Sequence, residues 1–345
     1  MTLTRLTLAC AALAALTIVP PAAAQPVKLV TESYHVPSRD AGVQLYVRNK
    51  RPESMTAFTP DRILLFVHGV TYPAETTFDL PVVDGTSWMD YIAQRGYDVY
   101  LMDVRGYGRS TRPREMEQPP GENPPVVNTE VALRDFGAVV DHILERRRVA
   151  RINLLGWSWG TLIAGAYTAQ NSAKVERLVL FAPLWLRQGV SPLRFDGSAY
   201  RAVTMEAARA RWLAGVPADK QTDLIPPGIF EAWWNANMEA DPVGARRTPP
   251  AVRAPNGALA DGMNYWEADR RYYDPSGIRV PTLLVVGEWD ADTPPYMAQA
   301  LLARLANAPS RRMVIIGEAT HTMLLEKNRL QLFREVQTFL DESRR

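Results

Sequence analysis

The sequence predicts an α/β fold with a mostly parallel central sheet, helices on both faces and an inserted helical cap. Three observations carry this reading. Short apolar runs of strand length recur along the chain, segments of helical period alternate with them, and one long aromatic-rich stretch interrupts the alternation without a strand run of its own. Strand and helix in regular succession make βαβ units, and those build a parallel sheet.

At 345 residues, with 47% hydrophobic and 22% charged, the chain has the composition of a globular protein with a sizeable core. Its first 24 residues read as a signal peptide and stand outside the fold. Arg5 gives a positive start, residues 6–19 an apolar stretch, and Ala22-Ala23-Ala24 a small-residue cleavage site. The apolar run is short for a bilayer and breaks at Pro20-Pro21, so no stable membrane anchor is expected and the mature protein is expected in the periplasm or secreted. Cys10, the single cysteine, lies in this leader, which removes disulfides and thiolate metal sites from the mature chain. Net charge is +2, or +1 without Arg5, which gives no electrostatic reason to expect nucleic acid as a partner.

Residues 27–37 and 43–48 are rich in β-formers and flank the turn Arg39-Asp40-Ala41-Gly42, so they should pair antiparallel. Residues 63–67 then form a wholly apolar run, as in a strand covered on both faces, and similar runs lie at 99–102, 152–155, 178–181, 282–286 and 313–316. Helices are expected at 87–95, 129–147, 161–170, 295–306 and from 324 to the C-terminus. In the second, Leu133, Phe136, Val139, Val140, Ile143 and Leu144 make one apolar stripe. The core is therefore expected in two parts, 25–183 and 281–345. Residues 184–280, rich in tryptophan and tyrosine, form the cap, because a structureless loop of that length is rare in a compact fold. The proline-rich stretch 113–125 reads as a surface loop.

Gly156-Trp157-Ser158-Trp159-Gly160 directly follows a predicted buried strand and directly precedes a predicted helix. A serine at such a turn sits in strained backbone, and close packing of the turn demands glycine on either side. The following helix N-terminus favours negative charge developing at the hydroxyl. A glycine-rich turn whose serine merely caps the helix is the bland alternative, and context weighs against it.

With these residues the chain resembles the α/β-hydrolase family over essentially its whole mature length. His68-Gly69, closing the first buried run, is similar to the family's oxyanion loop; 103–110, Asp-Val-Arg-Gly-Tyr-Gly-Arg-Ser, is similar to its D-x-R-G-x-G-x-S turn. Gly287-Glu288-Trp289-Asp290 resembles its acid turn, and His321 falls between the last run and the last helix, where the family keeps its histidine. The order Ser158, Asp290, His321 is the nucleophile, acid, base order of that fold. Within the family the elbow and cap resemble proline iminopeptidases, and the whole pattern also suits carboxylesterases.

The resemblance implies that His321 deprotonates Ser158 and Asp290 orients His321, while backbone N–H groups of Trp159 and Val70 hold the oxyanion. Among the four histidines, His35 lies in the first strand pair, His142 on a helix and His68 in the oxyanion loop, where supporting that loop by hydrogen bonds is its expected role. Asp292 could reach His321 if the acid turn is built differently. With Asp290 as the acid, Asp292 is expected to cap the helix beginning near Pro294. Trp157 and Tyr72 are candidate substrate contacts, against the competing role of packing between cap and core.

The leading expectation is a hydrolase of a small or medium, largely uncharged carboxylic ester or lactone, with no cofactor and no metal, since no metal-ligand cluster or phosphate-binding glycine loop is present in the sequence. An aminopeptidase of the proline iminopeptidase kind would need cap carboxylates for the free amine, with Glu231, Glu239, Asp241, Glu267 and Asp269 as candidates. A non-catalytic binding protein on the same scaffold would be expected to have lost a triad member. A dehalogenase needs a carboxylate where Ser158 stands. Acyl transfer to an alcohol stays open.

Overall fold

The computed structural model describes residues 27–82 and 85–343, so the expected signal peptide lies outside the described residues. The strands are β1 (Leu29–Pro37), β2 (Gln44–Pro52), β3 (Ile63–Val67), β4 (Asp98–Met102), β5 (Ile152–Trp157), β6 (Val175–Phe181), β7 (Tyr200–Thr204), β8 (Ala251–Pro255), β9 (Thr282–Gly287) and β10 (Arg311–Ile316). Eight of them form one sheet in the order β1-β2-β4-β3-β5-β6-β9-β10. β2 is antiparallel to β1 and β4, and the remaining pairs are parallel. The expected antiparallel pair and all six apolar runs are strands of this sheet; five of them are buried, while β10, at the sheet edge, is partly exposed, because no neighbouring strand covers it on one side.

The helices are α1 (Ala74–Phe78), α2 (Trp88–Ala93), α3 (Thr129–Arg147), α4 (Trp159–Asn171), α5 (Met205–Trp212), α6 (Gln221–Leu224), α7 (Ile229–Ala240), α8 (Pro242–Ala245), α9 (Gly257–Asn264), α10 (Pro295–Arg304) and α11 (Arg329–Asp341). The pleat of β3 decides which face each layer covers. Ile63, Leu65 and Val67 point to one side, where Phe136 and Val140 of α3, Ile163 of α4 and Leu301 of α10 pack. Leu64 and Phe66 point to the other, against Trp88 of α2 and Phe333 of α11. Ser87 fixes the start of α2 by a reciprocal capping box with Asp90.

Between β6 and β9 the cap departs from the expectation of helices alone, because β7 and β8 pair antiparallel, Tyr200 opposite Pro255 and Thr204 opposite Ala251. The sequence shows no apolar run in either segment, since both carry an arginine and β8 ends in proline. β8 is nevertheless buried along its length. Arg253 enters the interior because Asp241 meets its guanidinium at 2.8 Å, so the charge that hides the strand in the sequence is neutralised by a partner twelve residues earlier.

Candidate active site

Ser158 stands between β5 and α4 with φ 58° and ψ −122°, a conformation that costs an L-residue energy and is held only by its surroundings. The two glycines of the elbow are dictated by approach. A Cβ on Gly156 would lie 2.1 Å from the Gly160 carbonyl oxygen, and one on Gly160 would lie 2.4 Å from that of Val67. The backbone at Ser158 is tied to the next strand, its N–H donating to the Phe181 carbonyl at 3.0 Å. Trp159 is the first residue of α4, so its N–H is among those a helix leaves without an intrahelical acceptor.

The loop after β3 faces Ser158 closely. A Cβ on Gly69 would lie 3.0 Å from Ser158 Cβ and 3.5 Å from its Oγ, so only glycine lets the loop come this near. His68 holds the loop: its Nε2 accepts the Val104 N–H at 3.0 Å, which leaves Nδ1–H to donate to the Gly69 carbonyl at 2.7 Å. Burial pushes the His68 imidazole down to about 4, which keeps it neutral and in this tautomer. Next along, the Val70 carbonyl accepts from Tyr107 Oη at 2.9 Å and from Arg201 Nη2 at 2.7 Å.

His321 lies between β10 and α11, with Nδ1 2.9 and 3.0 Å from the two carboxylate oxygens of Asp290. Asp290 also accepts from the Thr293 N–H at 2.7 Å and its hydroxyl at 3.0 Å, so its side chain is buried and its oxygens are partnered. Trp157 Nε1 donates to the His321 carbonyl at 3.0 Å and its ring lies 5.3 Å from the imidazole. The Nε2 of His321 is buried without a hydrogen-bond partner, and His321 lines one pocket with Ser158, Val70, Tyr72, Trp157 and Asp292.

Asp292 does not cap a helix. The helix that follows, α10, starts after Pro294 with no side-chain cap. Asp292 instead accepts from Arg211 Nε at 2.9 and 3.1 Å, and one of its oxygens lies 3.8 Å from His321 Nε2. The cap thus pulls this carboxylate into the cleft, where Arg211 holds it ionised although burial opposes the charge. Tyr72 stands edge-on to Trp233 at 4.5 Å, with its hydroxyl pushed up to about 12 by burial. Trp159 turns the other way, its Nε1 donating to Thr129 Oγ1 at 3.0 Å, and it lines a neighbouring cavity. His35 and His142 lie elsewhere, one beside Arg109 and the other against Tyr34.

Among the cap carboxylates, only Glu267 lines this pair of cavities. Glu231 and Glu239 are exposed, Asp269 is exposed, and Asp241 is occupied by Arg253. Arg201 and Arg211 are not legible in the sequence, since no motif surrounds them and a buried cap arginine looks there like a solvated one. Neither is Glu326. That buried carboxylate accepts from the Thr320 N–H at 3.0 Å, from the Thr320 hydroxyl and from Trp212 Nε1 at 2.8 Å, and so fixes the residue before His321. Among the described residues no group of three or more His, Cys, Asp or Glu is placed to hold a metal, and no helix is long and apolar enough to cross a membrane.

This architecture is the α/β-hydrolase fold, and solved structures share it. An esterase from Thermogutta terrifontis aligns over 90% of this chain and 98% of its own at 19% identity, TM-score 0.56. Naproxen esterase (carboxylesterase NP) from Bacillus subtilis aligns over 92% and 93% at 17% identity, TM-score 0.54, and a meta-cleavage product hydrolase from Pseudomonas fluorescens over 90% and 98% at 14% identity, TM-score 0.59. The serine aminopeptidase S33 family matches residues 59–328, and the chain belongs to that family of α/β-hydrolases. No curated protein matches it.

Proposed function

We propose that this protein is an exported serine hydrolase that cleaves a carboxylic ester or lactone through Ser158, His321 and Asp290. The observation that carries the reading is the placement of a buried, unpartnered imidazole Nε2 in the same cavity as a serine held in strained backbone, with the opposite ring nitrogen bound to a buried carboxylate. Those are the parts that general-base activation of an alcohol requires. His321 takes the Ser158 proton as Oγ attacks the carbonyl carbon, and Asp290 stabilises the imidazolium. The oxyanion lies between the N–H groups of Trp159 and Val70, the latter on a loop kept in place by His68 and Arg201. Labelling of the wild-type protein by a fluorophosphonate, together with hydrolysis of p-nitrophenyl butanoate, tests the reading; either reaction persisting in Ser158→Ala refutes it. The export part rests on the leader sequence alone, and the mass of the protein recovered outside the cytoplasm checks it: cleavage near Ala24 is expected.

A second reading is amide hydrolysis at a free N-terminus, which the family's description favours. It has weaker support from the site, since Glu267 is the single cap carboxylate there and the charge of Asp292 is matched by Arg211. Comparing a prolyl amide with a simple ester separates the two.

A further inference from the structure

The cleft at Ser158 is double. One pocket borders Ser158 together with His321 and a second borders it together with Trp159, and Val70, Ser158, Arg211 and Asp292 line both. The first is aromatic: Trp233 meets Tyr72 edge-on with ring centres 4.5 Å apart and meets Trp212 in the same way at 5.1 Å. The second is lined by Trp159, Leu193, Leu259 and Trp266, with Arg187, Ser191, Glu267 and Thr293 adding polar groups at its wall. His321 borders the first alone.

Acyl-transfer chemistry tells the two halves apart, because the imidazole that takes the serine proton must return it to the oxygen that leaves. The leaving group therefore lies on the imidazole's side. Resting on the serine-hydrolase reading above, we propose that the aromatic half beside His321 receives the alcohol and the half behind Trp159 receives the acyl chain, so that the substrates are uncharged esters joining an aromatic alcohol to an apolar acid. Edge-to-face contact with Tyr72 and Trp233 favours a ring over an aliphatic group of equal size. Arg211 and Asp292 neutralise each other where the halves meet, so the aromatic half presents no unmatched charge to the alcohol.

The steps balance on this chain's own groups. Ser158 Oγ bonds to the carbonyl carbon while its proton passes to His321 Nε2; the bond from that carbon to the alcohol oxygen breaks, and the same proton goes to the departing oxygen. Water then repeats the sequence, restoring Ser158 and releasing the acid.

Two alanines provide the test, because Ala208 lines the aromatic half and Ala258 the other. kcat/KM is measured for benzyl and methyl esters of acetic and hexanoic acid. Ala208→Leu is expected to lower the benzyl-to-methyl ratio about tenfold and to keep the hexanoate-to-acetate ratio, and Ala258→Leu to do the reverse. The opposite pattern, or both variants moving the same ratio, overturns the assignment. If circular dichroism shows Ala208→Leu unfolded, Trp233→Phe asks the same question from the facing wall. A wild-type protein that takes no fluorophosphonate label and cleaves no ester fails at the underlying reading. One that is labelled at Ser158, but whose ratios do not separate in this way, fails only here.

Discussion

Core and cap supply the same cleft with residues fixed in opposite ways. Ser158, Gly69, Asp290 and His321 come from the core, each in the stretch that follows a strand of the sheet, so the backbone path places them within a few residues of a strand end. Arg201, Arg211 and Trp233 come from the cap, and each is fixed by contacts with chain more than a hundred residues earlier or some eighty later. Arg201 reaches the Val70 carbonyl, Arg211 reaches Asp292 and the Thr71 hydroxyl, and Trp233 packs on Tyr72. The core carries the groups that would do chemistry, and the cap sets their electrostatic and steric surroundings. Variants on the two sides should therefore fail differently.

The sharpest contrast lies within one turn, between Asp290 and Asp292. Ser158→Ala should set the scale, with a loss of kcat of at least about 10⁴-fold on p-nitrophenyl butanoate. Asp290→Asn should come within an order of magnitude of that, at about 10³–10⁴-fold, because the imidazole loses the acceptor that fixes its tautomer. Asp292→Asn should cost about tenfold or less, since its carboxylate is bound to Arg211 and lies 3.8 Å from Nε2. Equal losses from the two asparagine variants would place both carboxylates in the same role and erase the distinction between core and cap.

How far the sequence reveals each side follows the same division. The elbow is legible because its two glycines are required by backbone atoms within a few ångströms, and such a requirement writes itself into five consecutive residues. The order of Ser158, Asp290 and His321 is legible because each follows an apolar run, and apolar runs are the strongest pattern a parallel sheet leaves. The choice between Asp290 and Asp292 is not, because both lie in one turn and the partner that claims Asp292 is an arginine some eighty residues earlier. β7 and β8 stay hidden for a related reason: the arginine inside β8 is neutralised by Asp241, which lies outside the strand.

Removing the cap's arginine should damage the fold more than the chemistry. Arg211→Met leaves Asp292 buried and ionised without its partner, which should lower stability by about 3–5 kcal/mol in urea denaturation. Arg211→Met combined with Asp292→Asn should recover most of that, because no uncompensated charge remains. A double variant as unstable as Arg211→Met alone would show that Arg211 acts through packing and its bond to Thr71.

The smallest effect is expected where the two regions join, at Glu326. Burial pushes its carboxyl up to about 7, while the hydrogen bonds from Thr320 and Trp212 pull the other way by favouring the charged form. In the unfolded chain the same group ionises near its ordinary value of about 4.5, so between these two values the folded protein binds the extra proton. The contribution of Glu326 is therefore complete below about pH 4.5 and is lost as pH rises to about 7, a fall of at most about 3 kcal/mol. Glu326→Gln carries no titrating group, so its stability should fall less steeply than wild type across that window when the two are compared in urea at successive pH values. Trp212→Phe removes one donor to the carboxylate and should move the wild-type fall to higher pH. Parallel curves for wild type and Glu326→Gln would mean that the carboxyl titrates in the fold as it does in the unfolded chain, so that burial between core and cap leaves its charge undisturbed.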